Sequence, residues 1–307
     1  MRDLIVPLPL KAGDTVAIVS PSGCVSADVV ARASAALRSE GCAVRLGQHC
    51  LDRHDDGVMT FGGKLEHRLA DLHAAFADPE VKAVLCARGG YGAVQLLAHA
   101  DIGVIADNPK WLIGYSDITA LHSVMLRAGV VSLHAPMARH LAECGTKDAV
   151  GANVGRVLCG GKELDCDVAG VPDNCPGKAS GMLVGGNLAV LDALVGTEFD
   201  MVRPGTILFV EDVGDEVYRV ERILYHWLLA GVLAKLGGLV VGDFSRYRES
   251  ASGNAMRTTI RNMVASFGYP VAFGFPVGHS GDNVPLVEGA DAVFEVSGDA
   301  ARLQLTW

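Results

Sequence analysis

The sequence lacks several patterns that identify common enzyme classes. Its 307 residues contain eight cysteines but no CxxC pair, and they contain no P-loop GxxxxGK[ST], no HExxH and no SxxK around a candidate serine. Zinc sites usually hold two ligands two to four residues apart. Nucleotide hydrolysis, zinc-peptidase chemistry and penicillin-binding chemistry depend on the other three motifs. The sequence therefore favours none of these activities, and we expect neither a metal nor an organic cofactor.

Basic residues and long apolar runs are also scarce. There are 26 Lys and Arg against 35 Asp and Glu, a formal net charge of −9, and the basic residues are scattered. A field of this sign repels polyanions, so no nucleic-acid partner is expected. No stretch approaches the roughly 18 apolar residues of a membrane span, and the apolar start is broken by Pro7 and Pro9, unlike a signal peptide. We expect no membrane partner, reduced cysteines and a cytoplasmic location.

What the sequence does contain is a regular alternation of strand-like and helix-like segments. Half of the residues are hydrophobic and 37 are glycines, which is typical of a compact α/β protein with many tight turns. Strands are predicted at 14–20, 43–46, 81–87, 111–113 and 130–133, and helices at 26–40, 64–77, 94–100 and 118–127. This alternation predicts right-handed βαβ units in a doubly wound, mostly parallel N-terminal sheet.

The pattern changes after the first half. We predict an N-terminal α/β domain over 1–150, a linker rich in Gly, Asp, Cys and Pro over 151–180, and a smaller β-rich domain over 181–307. The third segment contains a predicted strand, glycine turn and helix over 181–195, strands at 207–210, 239–243 and 271–273, an amphipathic helix over 217–229, and a final hairpin with Gly298-Asp299 at its turn.

Three turns of the first half follow predicted strands directly. They are SPSG (20–23), RGGYG (88–92) and GYSD (114–117). In open α/β sheets ligands bind beyond the carboxyl ends of the strands. We therefore predict that all three turns face one crevice.

Ser116 has two interpretations. The strand–turn–helix context is that of a nucleophile elbow, which exposes a serine Oγ and directs backbone N–H groups at an oxyanion. However, Gly-Tyr-Ser-Asp does not match GxSxG, and Ser116 or Asp117 could simply cap the following helix. Taken alone, the sequence favours the cap.

A catalytic serine needs a base and an acid that orients it. Among ten histidines, His279 lies in the glycine-rich loop GFPVGHSGDN after a strand, where packing gives it little reason to exist, and His134 in SLHAP is the second candidate. Histidines within helical patterns are predicted at the surface or an interface: His67, His73, His99, His122 and His226. For the acid, Glu211 ends the apolar strand ILFVED, and Asp212 points to its other side if the strand persists.

The turn RGGYG also has two interpretations. Gly90-Tyr91-Gly92 opens a near miss to the dinucleotide fingerprint GxGxxG, in which Gln95 replaces the third glycine. The other interpretation is an oxyanion hole, in which glycines allow close approach of backbone N–H groups. Arg88 could hold a substrate carboxylate, or it could be a surface residue of a tight turn.

Taken together, several segments resemble the LD-carboxypeptidases, or murein tetrapeptide carboxypeptidases, of serine peptidase family S66. They are LCARGGYGAVQLL, LIGYSDITALH, HAPM, GMLVGGNLAVL, FVEDVGDEVYRVERIL and GFPVGHSGDN, and the resemblance runs from about Leu10 to Val296. It implies a doubly wound domain that carries the serine and a β-rich domain that carries the acid and base. It also implies a triad of Ser116, Glu211 and His279.

The resemblance further implies oxyanion N–H groups at Asp117 and Gly89, with Gly90 adjacent to the latter, and a homodimer. The expected activity is release of terminal D-Ala from a peptidoglycan-derived tetrapeptide for recycling. Arg88 and Asn187 are candidates for substrate binding.

Three alternatives remain open. Microcin C self-immunity proteins share the fold and motifs and would cleave an aminoacyl-nucleotide; an aromatic platform near Tyr218 or Trp227 would favour that function. A dinucleotide-binding oxidoreductase would use RGGYG, against which Gln95 argues. A non-catalytic muropeptide sensor would bind without turnover.

Overall fold

The computed structural model describes residues 4–248, 253–279 and 281–307. It divides the chain into two units. The first runs to Gly161 and includes Val284–Glu288, and the second comprises Lys162–Asn283 with Gly289–Trp307. The chain therefore passes between the units three times.

Strands and helices alternate through the described residues. The strands are β1 (Thr15–Val19), β2 (Ala43–Leu46), β3 (His54–Asp55), β4 (Thr60–Phe61), β5 (Val81–Cys86), β6 (Trp111–Gly114), β7 (Ser132–His134), β8 (Glu163–Ala169), β9 (Gly177–Asn187), β10 (Thr206–Val213), β11 (Leu236–Ser245), β12 (Val271–Phe273), β13 (Leu286–Glu288), β14 (Asp291–Val296) and β15 (Ala300–Thr306). The α-helices are α1 (Ala27–Ser39), α2 (Leu65–Ala77), α3 (Ile102–Asp107), α4 (Thr119–Arg127), α5 (Ala138–Cys144), α6 (Ala149–Leu158), α7 (Leu188–Leu194), α8 (Val217–Leu229) and α9 (Ala255–Val264). Short 3₁₀ helices span Ala93–His99, Ser116–Ile118, Leu233–Lys235 and Ala265–Phe267.

The first unit contains a six-stranded sheet in the order β2–β1–β5–β6–β7–β13. All neighbours are parallel except β13, which runs antiparallel to β7. The expected doubly wound, mostly parallel sheet is confirmed. Because β2 lies on one side of β1 and β5 on the other, the strand order reverses at β1. A crevice at this reversal is where ligands bind in such sheets.

The second unit contains a seven-stranded sheet in the order β12–β11–β10–β9–β14–β15–β8. Strands β9 to β12 are parallel, whereas β14, β15 and β8 pair antiparallel. Their burial differs accordingly. Strand β10 is buried over seven consecutive residues, while β15 alternates between exposed and buried side chains. A continuous apolar run is typical of a parallel strand covered on both faces, and alternation of an antiparallel strand covered on one.

Most predicted elements are confirmed within one or two residues. Helix α8 has the predicted bounds, and Ser26 caps α1 by accepting a hydrogen bond from the Val29 N–H. The predicted helix over 94–100 is a 3₁₀ helix instead. None of the helices in the described ranges combines the length and apolar character needed to cross a bilayer. All eight cysteines are free thiols.

Candidate active site

The three turns that follow β1, β5 and β6 meet at the carboxyl edge of the first sheet. The Gly23 N–H donates to the Gly89 carbonyl over 3.1 Å, which joins the first turn to the second. The Asp117 carboxylate accepts hydrogen bonds from the Ser22 hydroxyl and from the Ala93 N–H. The predicted convergence of these turns is therefore confirmed.

Ser116 has an unusual backbone conformation for a residue that is not glycine. Its φ is +64°, in the left-handed region, which costs energy and persists only where the surroundings impose it. Tyr115, rather than Ser116 or Asp117, is the cap position of the 3₁₀ helix Ser116–Ile118, and no side-chain cap forms there or at α4. The helix-cap interpretation is therefore wrong, and the sharp turn is that of a strand–turn–helix elbow.

Gly89 lies directly against the serine. A Cβ at this position would be 3.0 Å from the Ser116 Cβ and 3.2 Å from its Oγ, whereas one at Gly90 would face the Gly23 backbone instead. Only a residue without a side chain lets the second turn approach the serine this closely. Of the two adjacent glycines, the structure places Gly89 beside Ser116.

Substituting Gly89→Ala should lower kcat/KM by at least about 100-fold, because the added methyl displaces the Ser116 side chain and misplacement by about 1 Å costs a factor of this size. Gly298→Ala is the matched control, since its added Cβ meets nothing within 4 Å. Steady-state kinetics with the tetrapeptide expected from the sequence would measure both variants. Wild-type activity in Gly89→Ala would show that the serine does not react in this position.

The Asp117 carboxylate has a structural task that the sequence did not reveal. It is buried, and its Oδ2 accepts the Ala93 N–H at 2.8 Å, which satisfies the start of the 3₁₀ helix Ala93–His99. Burial raises the pKa of this carboxyl, while the Ser22 hydroxyl, the Ala93 N–H and the Arg68 charge oppose that rise. The residue after the serine thus ties the other two turns to the elbow.

Arg68, on α2, also connects two of the turns through hydrogen bonds. Its role was not predicted from the sequence. Its buried guanidinium donates to the carbonyls of Pro21 and Gly92, at 2.9 Å each, and to the Gln95 side chain at 2.6 Å. Gln95, which occupies the position of the third glycine in GxGxxG, accepts this hydrogen bond from Arg68. This contact explains the departure from GxGxxG without a dinucleotide.

His122, on α4, is fully buried, so its predicted position at the surface or an interface is wrong. Its Nε2 lies 2.9 Å from the Gly114 carbonyl and its Nδ1 lies 2.8 Å from the Ser132 hydroxyl. A carbonyl only accepts, so Nε2 carries the proton and Nδ1 accepts from Ser132. The ring of His134 is 6.2 Å away.

Burial lowers the pKa of His122 to about 4 from 6.5, against the opposing effect of the Gly114 carbonyl. The unfolded chain therefore takes up a proton at higher pH than the folded chain does. The free energy of unfolding should fall as the pH drops from 6.5 to 4, by up to about 3 kcal/mol from this group. Urea titrations across this range should show a flatter dependence in His122→Gln. An identical slope in both proteins would contradict the assignment.

His134, the second candidate for the base, is fully buried on β7. Its ring contacts Tyr115 edge-on, with the ring centres 5.9 Å apart. This is a packing position beneath the serine turn rather than a position open to a substrate.

The second unit holds the candidate acid and base together. His279 Nδ1 lies 2.7 Å from Glu211 Oε2, and the Glu211 side chain at the end of β10 is fully buried. Since a carboxylate accepts, Nδ1 carries a proton, and the tautomer that this selects has its lone pair on Nε2. This is the orientation that a general base in a catalytic triad requires.

Two neighbours fix the loop that carries His279. Gly278 has φ +126°, and a Cβ there would be 2.9 Å from the Glu211 Cβ. Its N–H donates to the buried side chain of Asn283 over 2.9 Å. Sequence analysis did not single out Asn283, because an asparagine in a glycine-rich loop is ordinary.

Comparisons with known proteins show the family. Residues 16–135 match the model of the LD-carboxypeptidase N-terminal domain, and residues 180–294 match that of the C-terminal domain. The chain belongs to the LD-carboxypeptidase family. It is a peptidase hydrolase, and the serine type fits this family.

Individual relatives match almost end to end. A probable murein peptide carboxypeptidase of Bacillus subtilis (strain 168) is 32% identical, with 97% of this chain and 94% of that protein covered. The crystal structure of muramoyltetrapeptide carboxypeptidase from Oxalobacter formigenes is 30% identical with a TM-score of 0.83, covering 95% of this chain and 99% of that one. MccF in complex with glutamyl sulfamoyl guanosine has a TM-score of 0.85 at 20% identity, covering 99% of this chain and 98% of that one. The last match shows the shared fold alone.

The two residues predicted to bind substrate, Arg88 and Asn187, each form a hydrogen bond within their own unit. Arg88 is exposed beside Gly89 and donates to the Cys24 carbonyl over 3.1 Å. Asn187 ends β9 and caps α7 by accepting from the Val190 N–H. Asp212 faces the same helix and accepts from the Ala189 N–H, while burial raises its pKa to about 6. The two acids of β10 thus serve different neighbours.

The aromatic residues considered for a nucleobase platform differ in exposure. Trp227 is buried on α8 and donates its indole N–H to Asp192 over 3.0 Å, so it cannot stack on a base. Tyr218 is 53% exposed in the first turn of the same helix. Of these two residues, only Tyr218 could contact a ligand.

Proposed function

We propose that this enzyme is a serine carboxypeptidase that releases terminal D-Ala from peptidoglycan-derived tetrapeptides. The observation that carries the proposal is the hydrogen bond from His279 Nδ1 to the fully buried Glu211 carboxylate. A buried acid that orients a loop histidine is the acid–base half of a triad. Relatives named murein peptide and muramoyltetrapeptide carboxypeptidase support the substrate class.

In the proposed reaction Ser116 is the nucleophile. His279 Nε2 takes the Ser116 hydroxyl proton as Oγ forms a bond to the carbonyl carbon that precedes D-Ala. The C–N bond then breaks, and the imidazolium returns the proton to the leaving amine. A water molecule, deprotonated by the same histidine, then attacks the ester carbonyl. The bond from the acyl carbon to Oγ breaks, the imidazolium returns the proton to Oγ, and the tripeptide is freed. Glu211 stabilises the imidazolium throughout and is not itself protonated.

The proposed oxyanion donors are the backbone N–H groups of Gly89 and Asp117. Support comes from the close approach of Gly89 to the Ser116 side chain and from the buried anchoring of Asp117. Donors that are fixed before the reaction stabilise a developing oxyanion without reorganisation, and each contributes about 3 kcal/mol. The hydrogen bonds of the Asp117 and Arg68 side chains to the turns would hold these N–H groups in place.

For the free carboxylate of D-Ala we propose Arg88, because a guanidinium binds a carboxylate with two parallel hydrogen bonds. One of its nitrogens already donates to the carbonyl of Cys24, the residue after the first turn, which orients the group beside Gly89. Asn187 is proposed to line the pocket, although its Oδ1 also caps α7.

A comparison of two substrates tests the function. Purified enzyme is incubated in parallel with L-Ala-γ-D-Glu-meso-diaminopimelate-D-Ala and with an aminoacyl sulfamoyl nucleotide, and both products are quantified by mass spectrometry. We expect a kcat/KM at least 100-fold higher for the tetrapeptide. Preference for the nucleotide would establish the immunity-type function instead. Binding of the tetrapeptide without turnover would identify a sensor, and binding of NAD(P) an oxidoreductase.

We further propose that the enzyme acts as a homodimer in the cytoplasm. Support comes from the resemblance to the family and from eight free thiols, which suit a reducing compartment. Analytical ultracentrifugation would test the first part and fractionation of the source cells the second.

A further inference from the structure

A cluster of His49, Asp52 and His67 lies outside the proposed catalytic residues. His49 and Asp52 belong to the segment after β2, and His67 lies in the first turn of α2. The Nδ1 atoms of both histidines are 2.9 Å from the same oxygen, Oδ2 of Asp52. The two rings stack with centres 3.9 Å apart and planes 19° apart.

This arrangement has the ligand set of a transition-metal site. Two imidazole nitrogens and one carboxylate oxygen are donors that Zn²⁺ and its neighbours prefer. The three ligand atoms all lie within 4.8 Å of one another. Metal–ligand bonds of about 2.0–2.2 Å in a tetrahedral site place neighbouring ligands about 3.3 Å apart. The nitrogen–oxygen distances of 2.9 Å are a few tenths of an ångström shorter than this. Because the lone pair of an imidazole nitrogen lies in the ring plane, the two stacked rings would also have to turn apart to bind one cation.

The backbone holds this cluster independently of any ion. The Ser20 hydroxyl donates to the Cys50 carbonyl over 2.6 Å, and the His49 N–H donates to Asp71 over 2.9 Å. Gly63 has φ +113°, and a Cβ there would be 3.1 Å from the Asp52 Cβ. A backbone that is fixed before binding loses little conformational entropy when the ion arrives.

Exposure and charge also suit a cation. The side chains of His49, Asp52 and His67 are 23%, 40% and 35% exposed, so water can complete the coordination. The net charge of −9 raises the local concentration of cations.

We propose that His49 Nδ1, His67 Nδ1 and Asp52 Oδ2 bind one divalent transition-metal ion such as Zn²⁺. The ion would link the segment after β2 to α2. Because this segment is hydrogen bonded to the first turn through Ser20, the ion would stabilise that edge of the sheet. The proposed triad does not use it, so the role is structural.

The test is titration of metal-free full-length enzyme with Zn²⁺ by calorimetry. The grouping of His140, Cys144 and Asp148 could also take up metal, so all proteins carry Cys144→Ser. We expect one Zn²⁺ per chain, with affinity lowered at least tenfold in Asp52→Asn and in His67→Asn. His99→Asn, at an exposed histidine outside the cluster, should bind as the parent does.

A second readout is the thermal unfolding midpoint, which Zn²⁺ should raise in the parent protein and in His99→Asn but not in the two cluster variants. Circular dichroism of the metal-free variants confirms that they fold, and His49→Asn replaces any that does not. No Zn²⁺ binding by the parent, or equal affinity in parent and cluster variants, would overturn the proposal. The three residues would then form a hydrogen-bonded cluster only.

Discussion

Replacing Ser116 by alanine is expected to abolish release of D-Ala from the tetrapeptide, with kcat lowered by at least about 10⁴-fold. The substitution removes the only atom that bonds to the substrate in the proposed reaction. Binding of the tetrapeptide should change little, because the Asp117 and Arg68 ties that shape the turns do not involve the serine hydroxyl. Burst kinetics and calorimetric binding measure the two effects separately.

Ser39→Ala provides the matched control for this variant. Ser39 is exposed at the end of α1, and its hydroxyl donates only to the Ala36 carbonyl among the hydrogen bonds of the described residues. We expect wild-type kinetics there. Release of D-Ala by Ser116→Ala at more than about 1% of the wild-type rate would exclude this serine as the nucleophile.

Glu211→Gln should lower kcat by about 10³–10⁴-fold, the loss seen when the acid of a serine triad becomes an amide. The amide removes the charge that stabilises the His279 imidazolium and can impose the wrong tautomer on the ring. The thermal unfolding midpoint should change little, because a neutral amide is easier to bury than a carboxylate. A large catalytic loss with little change in the unfolding midpoint therefore distinguishes catalysis from folding.

The neighbouring residue supplies the control. Asp212→Asn changes the next carboxylate on β10, which caps α7 instead of contacting His279, and an amide oxygen can still accept from Ala189. We expect its kcat to remain within a few-fold of wild type. If both substitutions lowered kcat equally, the pairing of Glu211 with His279 would not be the cause.

Local patterns predicted the parts of the fold that depend on periodicity. Helix α8 has its predicted bounds because its apolar spacing is strong, and strand β2 also has its predicted bounds although none of its four residues is buried. The meeting of the three turns followed from the geometry of parallel sheets, which brings all carboxyl ends to one edge. These inferences require no knowledge of which distant residues touch.

Features that depend on distant contacts could not be predicted. Strand β13 is three residues long, and nothing in Leu-Val-Glu indicates that it pairs with β7, about 150 residues earlier. His122 was expected at the surface, yet α4 buries seven of its nine residues, so its helical pattern does not identify an outer face. The ties through Asp117 and Arg68 likewise arise from side chains that meet only in the folded unit.

In the proposed reaction this enzyme cleaves the bond to a terminal D-Ala by means of Ser116. The most direct measurement is the stoichiometry of products when wild-type enzyme and Ser116→Ala are each incubated with the free tetrapeptide. We expect the wild type to produce tripeptide and D-Ala in equal amounts, and Ser116→Ala to produce neither. An intact tetrapeptide after prolonged incubation with folded wild-type enzyme, or equal product from both proteins, would contradict it.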